Sequence, residues 1–402
     1  MDEYFCHSPF YQLEITTRGK ARVCCKMPEV LVSDKQTGRE YSVQEDGITK
    51  IWESEWMTDL RQRFIDGGKR PECKHCWDDE AAGIISLRQH VNRVPINIQA
   101  PVITELVLKM TNKCNCACRI CGWALSSLWQ SEMEKTNRLH RSSKIIEIES
   151  IESNKLNDKN FEDWKKHLHT VTRLSLYGGE PLISEEIISI LEYLIEIDRA
   201  KEVLLALNTN GTVTSDKVMN LLKQFKTVHL HFSIDDVDER YNYQRWPAKF
   251  NNIFDNLKEV HDSFDPSQME IYIYITVSAF NILTLNDVLT RWSEFSKFEI
   301  KLENNIFEPS LLSVLSIPES VKLKIEEYLD QFDWSPTKIN FGNKKLDYKQ
   351  IILNFMNLHK STYSCKEYLY ELNKWLELDD KRRKQDWKTT FPELYQLLIN
   401  NE

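Results

Sequence analysis

Between residues 103 and 303 the apolar positions follow two alternating patterns. Short runs rich in Val, Ile, Leu and aromatic residues occupy Ile103–Met110, Val171–Tyr177, Glu202–Leu207, Thr227–Ile234, Glu270–Val277 and Phe298–Glu303. Their length and composition predict strands. Between several of them lie stretches with apolar residues at helical spacing: Glu185–Arg199, Val218–Phe225, Ile253–Ser263 and Leu285–Phe295. Strands that alternate with helices predict parallel βαβ units, because parallel neighbours need a long crossover. Six strands fit an α/β fold of the partial (β/α)6, TIM-like barrel type. The first connection, from Gly122 to about Thr170, is long and highly charged around Lys144–Lys166. Helices are expected there, with room for a lid or docking surface.

The flanks read differently. Pro9–Ile15 predicts a strand, Gly19 a turn, and Ala21–Val23 a short return. Ile51–Phe64 has the spacing of one amphipathic helix that stops at Gly67-Gly68. Towards the C-terminus, Leu369–Leu398 carries Trp, Tyr and Leu at helical spacing and is expected to pack on the barrel. The basic run Lys381–Lys384 is expected to be a solvated face. These shifts divide the chain into residues 1–98, 99–335 and 336–402.

Composition narrows the class. A chain that is 41% hydrophobic and 28% charged suits a globular protein. The net charge of −9, without a basic stripe, argues against general binding of nucleic acid. The start, Met-Asp-Glu-Tyr-Phe-Cys, lacks the basic and apolar regions of a signal peptide, and no apolar run is long enough to span a membrane. A cytoplasmic location is expected.

Nine of the ten cysteines lie in the first 121 residues. In a reducing compartment such clustering points to metal. Cys114, Cys118 and Cys121 have the spacing C-x3-C-x2-C, with Cys116 between them, where a strand hands over to a helix. Three thiolates can hold three irons of a cubane and leave the fourth open, whereas clusters that only carry electrons usually have four cysteines. Zinc is the alternative for such a loop. Cys6, the pair Cys24-Cys25, Cys73 and Cys76 could close a second metal site, again with zinc as the alternative. Cys365 reads as a structural thiol.

The cysteine loop resembles that of the radical S-adenosylmethionine (radical SAM) superfamily. Gly178-Gly-Glu-Pro181, after the second strand, resembles that superfamily's GGE motif. The resemblance implies a [4Fe–4S] cluster coordinated by Cys114, Cys118, Cys121 and SAM. It also implies SAM contacts from Gly178, Gly179, Glu180 and Pro181, from Asn208 and Asn210 after the third strand, and from Ser233 and Asp235 at the fourth. Arg245 is placed to bind the SAM carboxylate, or else to form a surface salt bridge. The superfamily usually has an aromatic residue before the third cysteine; here Ile120 stands there, with Trp123 nearby.

The N-terminal segment resembles SPASM/twitch auxiliary-cluster modules through Cys6-x2-Pro9, Gly19-x4-Cys24-Cys25, Ile51-Trp52-x7-Leu60-Arg61 and Pro71-x-Cys73-x2-Cys76. The likeness continues into Glu80, Gly83, Ser86 and Arg88. It implies one auxiliary [4Fe–4S] cluster on Cys6, Cys24, Cys73 and Cys76, with Cys25 able to replace Cys24. The module precedes the barrel here, whereas the better-known members carry it at the C-terminus. The expected activity is reductive cleavage of SAM to a 5′-deoxyadenosyl radical that abstracts hydrogen from a peptide or protein side chain. A flavodoxin- or ferredoxin-class donor would supply the electron. A small-molecule substrate, or an iron–sulfur protein that only transfers electrons or senses redox state, are the alternatives.

Overall fold

In a computed structural model the chain is described at residues 3–27, 30–81, 85–135, 158–306, 308–335, 340–341, 344–345 and 347–401. Gly83 and residues 136–157 of the charged first connection lie outside them. The chain forms two compact units with interleaved ranges. The first comprises residues 1–114, 123–207 and 217–228, the second 115–122, 208–216 and 229–402.

The first unit holds β1 (Gln12–Ile15), β2 (Ala21–Arg22), β3 (Glu105–Leu108), β4 (Arg173–Leu176) and most of β5 (Leu204–Thr209). Their order is β2-β1-β3-β4-β5. β1 pairs antiparallel with β2 and parallel with β3, and β3–β4 and β4–β5 are parallel. The N-terminal segment therefore adds its own strand to the sheet, with Leu13 opposite Leu106 and Ile15 opposite Leu108. All four side chains are fully buried.

The helix expected across Ile51–Phe64 is two, Gly47–Trp52 and Glu55–Ile65. Ser54 breaks it, since its side chain accepts from the Met57 amide and starts the second helix. In the first connection, helices Ser127–Lys135 and Asp158–Leu168 are present.

The second unit holds most of β6 (Thr227–Ser233), with β7 (Met269–Val277) beside it and β8 (Phe298–Asn305) parallel to β7. Along β6 buried and half-buried residues alternate, as a strand with one covered face requires. The six predicted barrel strands are thus each found as β3 to β8. β5 runs two residues further than expected, so Asn208 and Thr209 belong to the strand.

Helices Phe250–Ser263 and Leu285–Ser293 bury Ile253, Leu257 and Val260, and Val288, Leu289 and Trp292, respectively. Helices Cys365–Arg383 and Pro392–Asn400 follow near the C-terminus. Among the described residues no helix is long and apolar enough to cross a membrane.

Candidate iron–sulfur and SAM site

In the first unit, Cys6, Cys24, Cys73 and Cys76 line one small cavity of about 20 Å³. Cys6 precedes the short helix Ser8–Tyr11, and Cys24 follows β2. Cys73 ends the turn Pro71–Cys73, and Cys76 lies on the next helix, Lys74–Ala81. All four thiols are buried, whereas Cys25 is exposed and does not line the cavity. Of the adjacent pair Cys24-Cys25, left open in the sequence, Cys24 is the one that lines the cavity.

Burial pushes Cys6 up to about 11 and Cys73 up to about 12, and the neighbouring thiols add to both. Cys24 and Cys76 are raised for the same first cause. Four thiols that resist ionisation alone suit a cationic metal group, which would favour their thiolates. Among the described residues no three metal-binding side chains converge on a single-ion position.

The residues shared with auxiliary-cluster modules brace this cavity. Arg88 donates to both carboxylate oxygens of Glu80, at 3.0 and 2.6 Å, and to the carbonyls of Glu3 and Phe5. It thereby ties down the backbone just before Cys6. Arg61 lies over the Trp52 ring at 4.1 Å and donates to the Pro9 carbonyl.

The cysteine loop that holds Cys114, Cys118 and Cys121 begins in the same unit. Ser127 Oγ accepts from the Cys114 amide at 3.1 Å, and Asn112 Nδ2 donates to the Trp123 carbonyl. Gly179 has φ +57°. A Cβ there would lie 3.0 Å from the Thr111 carbonyl oxygen and closer still to that of Lys113. The glycine therefore serves close packing against the backbone leading to Cys114. Glu180 donates its amide to the Lys113 carbonyl, and its buried carboxylate accepts from the Leu182 amide, capping the turn Pro181–Ile183. Trp123 sits under the Arg18 guanidinium at 5.7 Å.

In the second unit, Asn210 Nδ2 donates to Asn115 Oδ1 at 2.8 Å and lies 3.5 Å from the Cys116 sulfur. Asn208 pairs with His231 at 2.9 Å, and Ser233 is half-buried at the end of β6. Asp235 is fully buried. Its Oδ1 accepts from the Thr276 amide and its Oδ2 from Arg245.

Arg245 is not a surface salt bridge. It is 6% exposed, bound to Asp235 at 2.7 Å, and its Nη1 points at the Cys118 sulfur 3.9 Å away. The hydrogen bond from Cys116, with the charge of Arg245, lowers the Cys118 thiol to about 7. A thiol held ready to ionise beside a fixed cation is what metal ligation needs.

Residues 108–279 match the radical SAM superfamily, and residues 6–77 match an iron-sulfur cluster-binding domain, SPASM. The chain carries a radical SAM domain. The two matched domains imply a SAM-binding [4Fe–4S] cluster and an auxiliary iron–sulfur cluster; Cys6, Cys24, Cys73 and Cys76 are all buried, and Cys118 is buried between the half-buried Cys114 and Cys121.

No curated protein matches the sequence. Among solved structures, this radical SAM chain is similar to native anSMEcpe with bound AdoMet. Identity is 20%, over 51% of this chain and 52% of that one, with a TM-score of 0.35. It is also similar to Streptococcus suis SuiB bound to S-adenosylmethionine, at 13% identity over 82% and 68% of the two chains, TM-score 0.36. SuiB bound to precursor peptide SuiA gives 12% identity over 97% and 75%, TM-score 0.35. The chain spans 52–60% of the length of the anSMEcpe chains that it matches.

Two residues absent from the sequence reading belong to the radical loop's surroundings. Arg119 is fully buried and bound to Asp380 at 2.7 Å. The expected solvated run also gives up one member, since Arg383 is buried with its guanidinium 4.8 Å from the Trp246 ring. The signal was present in the helical period. Cys365, Tyr368, Leu372, Leu376, Asp379 and Arg383 recur three or four residues apart. A carboxylate on a buried stripe demands a cation.

Proposed function

We propose that this protein is a radical SAM enzyme that acts on a carbon of a peptide or protein side chain. Cys114, Cys118 and Cys121 would hold the SAM-binding cluster, and Cys6, Cys24, Cys73 and Cys76 the auxiliary one. When bound and reduced, the first cluster supplies the electron that cleaves SAM, giving methionine and the 5′-deoxyadenosyl radical that takes a substrate hydrogen. The electron requires a one-electron donor, for which a flavodoxin- or ferredoxin-class protein is proposed. The peptide class rests on the likeness of residues 6–77 to the auxiliary modules of peptide-modifying relatives.

One observation carries the reading: the buried Arg245 guanidinium, fixed by Asp235, stands beside the Cys118 sulfur. A guanidinium fork is suited to a carboxylate, and SAM brings one. Asp235 holds the fork in place before any ligand arrives. Glu180, Asn208, Asn210 and Ser233 remain proposed SAM contacts, alongside Gly178, Gly179 and Pro181. Asn210 has a second task, since it fastens the Asn115–Cys116 segment.

Anaerobic, iron-loaded protein reduced in the presence of SAM should release 5′-deoxyadenosine. With a substrate peptide deuterated at the reacting carbon, the label should enter that product. If loaded and reducible protein gives no cleavage with any peptide or small molecule, the electron-transfer alternative replaces this reading. If label arrives only from small molecules, the peptide assignment falls.

A further inference from the structure

The cysteine loop carries a cation that neither ligates nor faces solvent. Arg119, between Cys118 and Ile120, has no exposed surface. Its Nη2 donates to Asp380 Oδ1 at 2.7 Å and to Gln385 Oε1 at 3.1 Å, and its Nη1 lies 3.5 Å from Asp379. Its guanidinium covers the Tyr243 ring at 4.2 Å. Asp380 is the hub. Oδ1 also accepts from the Tyr243 hydroxyl at 2.8 Å, and Oδ2 from the Trp387 amide at 3.1 Å.

The backbone on either side of Cys118 is held as well. The Ala117 amide donates to the Trp246 carbonyl and the Arg119 amide to the Gln244 carbonyl, both at 2.7 Å. The residue between those acceptors is Arg245, which faces Cys118. The register of Cys118 against Arg245 is thus set by two backbone bonds, and the Arg119 side chain anchors the loop from the other side.

We propose that the helix Cys365–Arg383 and the turn after it, through Asp380 and Arg119, position the Cys118 segment against Arg245. Arg119 and Asp380 are positioning residues; neither touches the reacting atoms. The physical ground is the cost of this arrangement. A buried ion pair is seldom more stable than well-packed apolar residues in its place, so its gain is a fixed geometry. The guanidinium, hydrogen-bonded through Nη2, ion-paired with Asp379 at Nη1 and stacked over the Tyr243 ring, leaves the loop little freedom. The link to SAM binding rests on the function proposed above; the clamp on the loop does not.

The test compares wild type with Asp380→Asn and Arg119→Lys. Both keep a polar partner and disturb the packing little. Hydrogen exchange by mass spectrometry on the metal-free protein follows the peptide that contains residues 115–122. Calorimetry then follows SAM affinity in the iron-loaded protein, with electron paramagnetic resonance of the reduced clusters. Exchange in this peptide should rise about tenfold in each variant, and SAM affinity should fall about tenfold. The resonance change on adding SAM should alter, while the auxiliary-cluster signal stays as in wild type.

Unchanged loop exchange in both folded variants overturns the clamp. So does exchange that rises equally across the whole chain, which is the mark of plain destabilisation. If wild-type protein binds no SAM, the functional reading fails, and the exchange result still decides the clamp.

Discussion

Replacing Gly179 by Ala tests the packing of the GGEP turn against the cysteine loop, and its size can be worked from the structure. Two costs add. The residue sits at φ +57°, where a side chain costs about 1–2 kcal/mol. The new Cβ also meets the carbonyl oxygens of Lys113 and Thr111, which are backbone and cannot swing away. Forcing an atom into a filled space costs about 1–3 kcal/mol more. The total is about 2–5 kcal/mol.

Gly38 supplies the control. It has φ +73°, and nothing lies within 4 Å of where its Cβ would be, so Gly38→Ala carries the first cost alone. Urea denaturation of the metal-free variants should show Gly179→Ala the less stable by about 1–3 kcal/mol. Because the displaced Lys113 carbonyl adjoins Cys114, iron-loaded Gly179→Ala should also lose metal from the radical loop first. Equal losses of stability in the two variants would refute the close-packing argument and leave Gly179 explained by its backbone angle only.

Three further outcomes are expected. Anaerobic protein should hold about eight irons as two four-iron cubanes, and changing Cys114, Cys118 and Cys121 to Ala should leave about four; loss of all iron from a folded variant would refute the two-site division. Cys73→Ala/Cys76→Ala should keep SAM binding and slow 5′-deoxyadenosine release under strong reductant yet form little modified substrate, as chromatography and calorimetry can check. Burial raises the Asp236 carboxyl to about 7, against the pull of Arg240. The folded protein then holds a proton between about pH 4 and 7 that the unfolded chain has released. This contribution to stability is full below pH 4 and lost as pH rises to 7. Asp236→Asn removes the group, so denaturation at several pH values should show the variant gaining on wild type from pH 4 to 7. A constant difference would contradict the assignment.

What the sequence determined by itself is what local pattern can carry. Each barrel strand from Ile103 to Glu303 announces itself through its own run of apolar residues, because period and length are properties of the segment. The cysteine spacing and the Gly-Gly-Glu-Pro turn name a chemistry for the same reason: their atoms lie on short stretches of chain. Boundaries were less legible. Ser54 splits a helix whose apolar spacing continues across it, because a hydroxyl bonded to Met57 begins a new helix at that point.

Tertiary structure decided the pairings. That β1 lies beside β3 depends on backbone bonds between residues about ninety positions apart. Cys24 and Cys25 are equivalent in any motif, and only the packing around the cavity buries one and exposes the other. Glu180 and Arg245 are legible as residue types, but the cap on Leu182 and the bond to Asp235 are not. Arg119 and Asp380 are 261 residues apart. Local periodicity reports whether a side chain is covered. Which distant group covers it, and whether that group balances its charge, is fixed only when the elements pack.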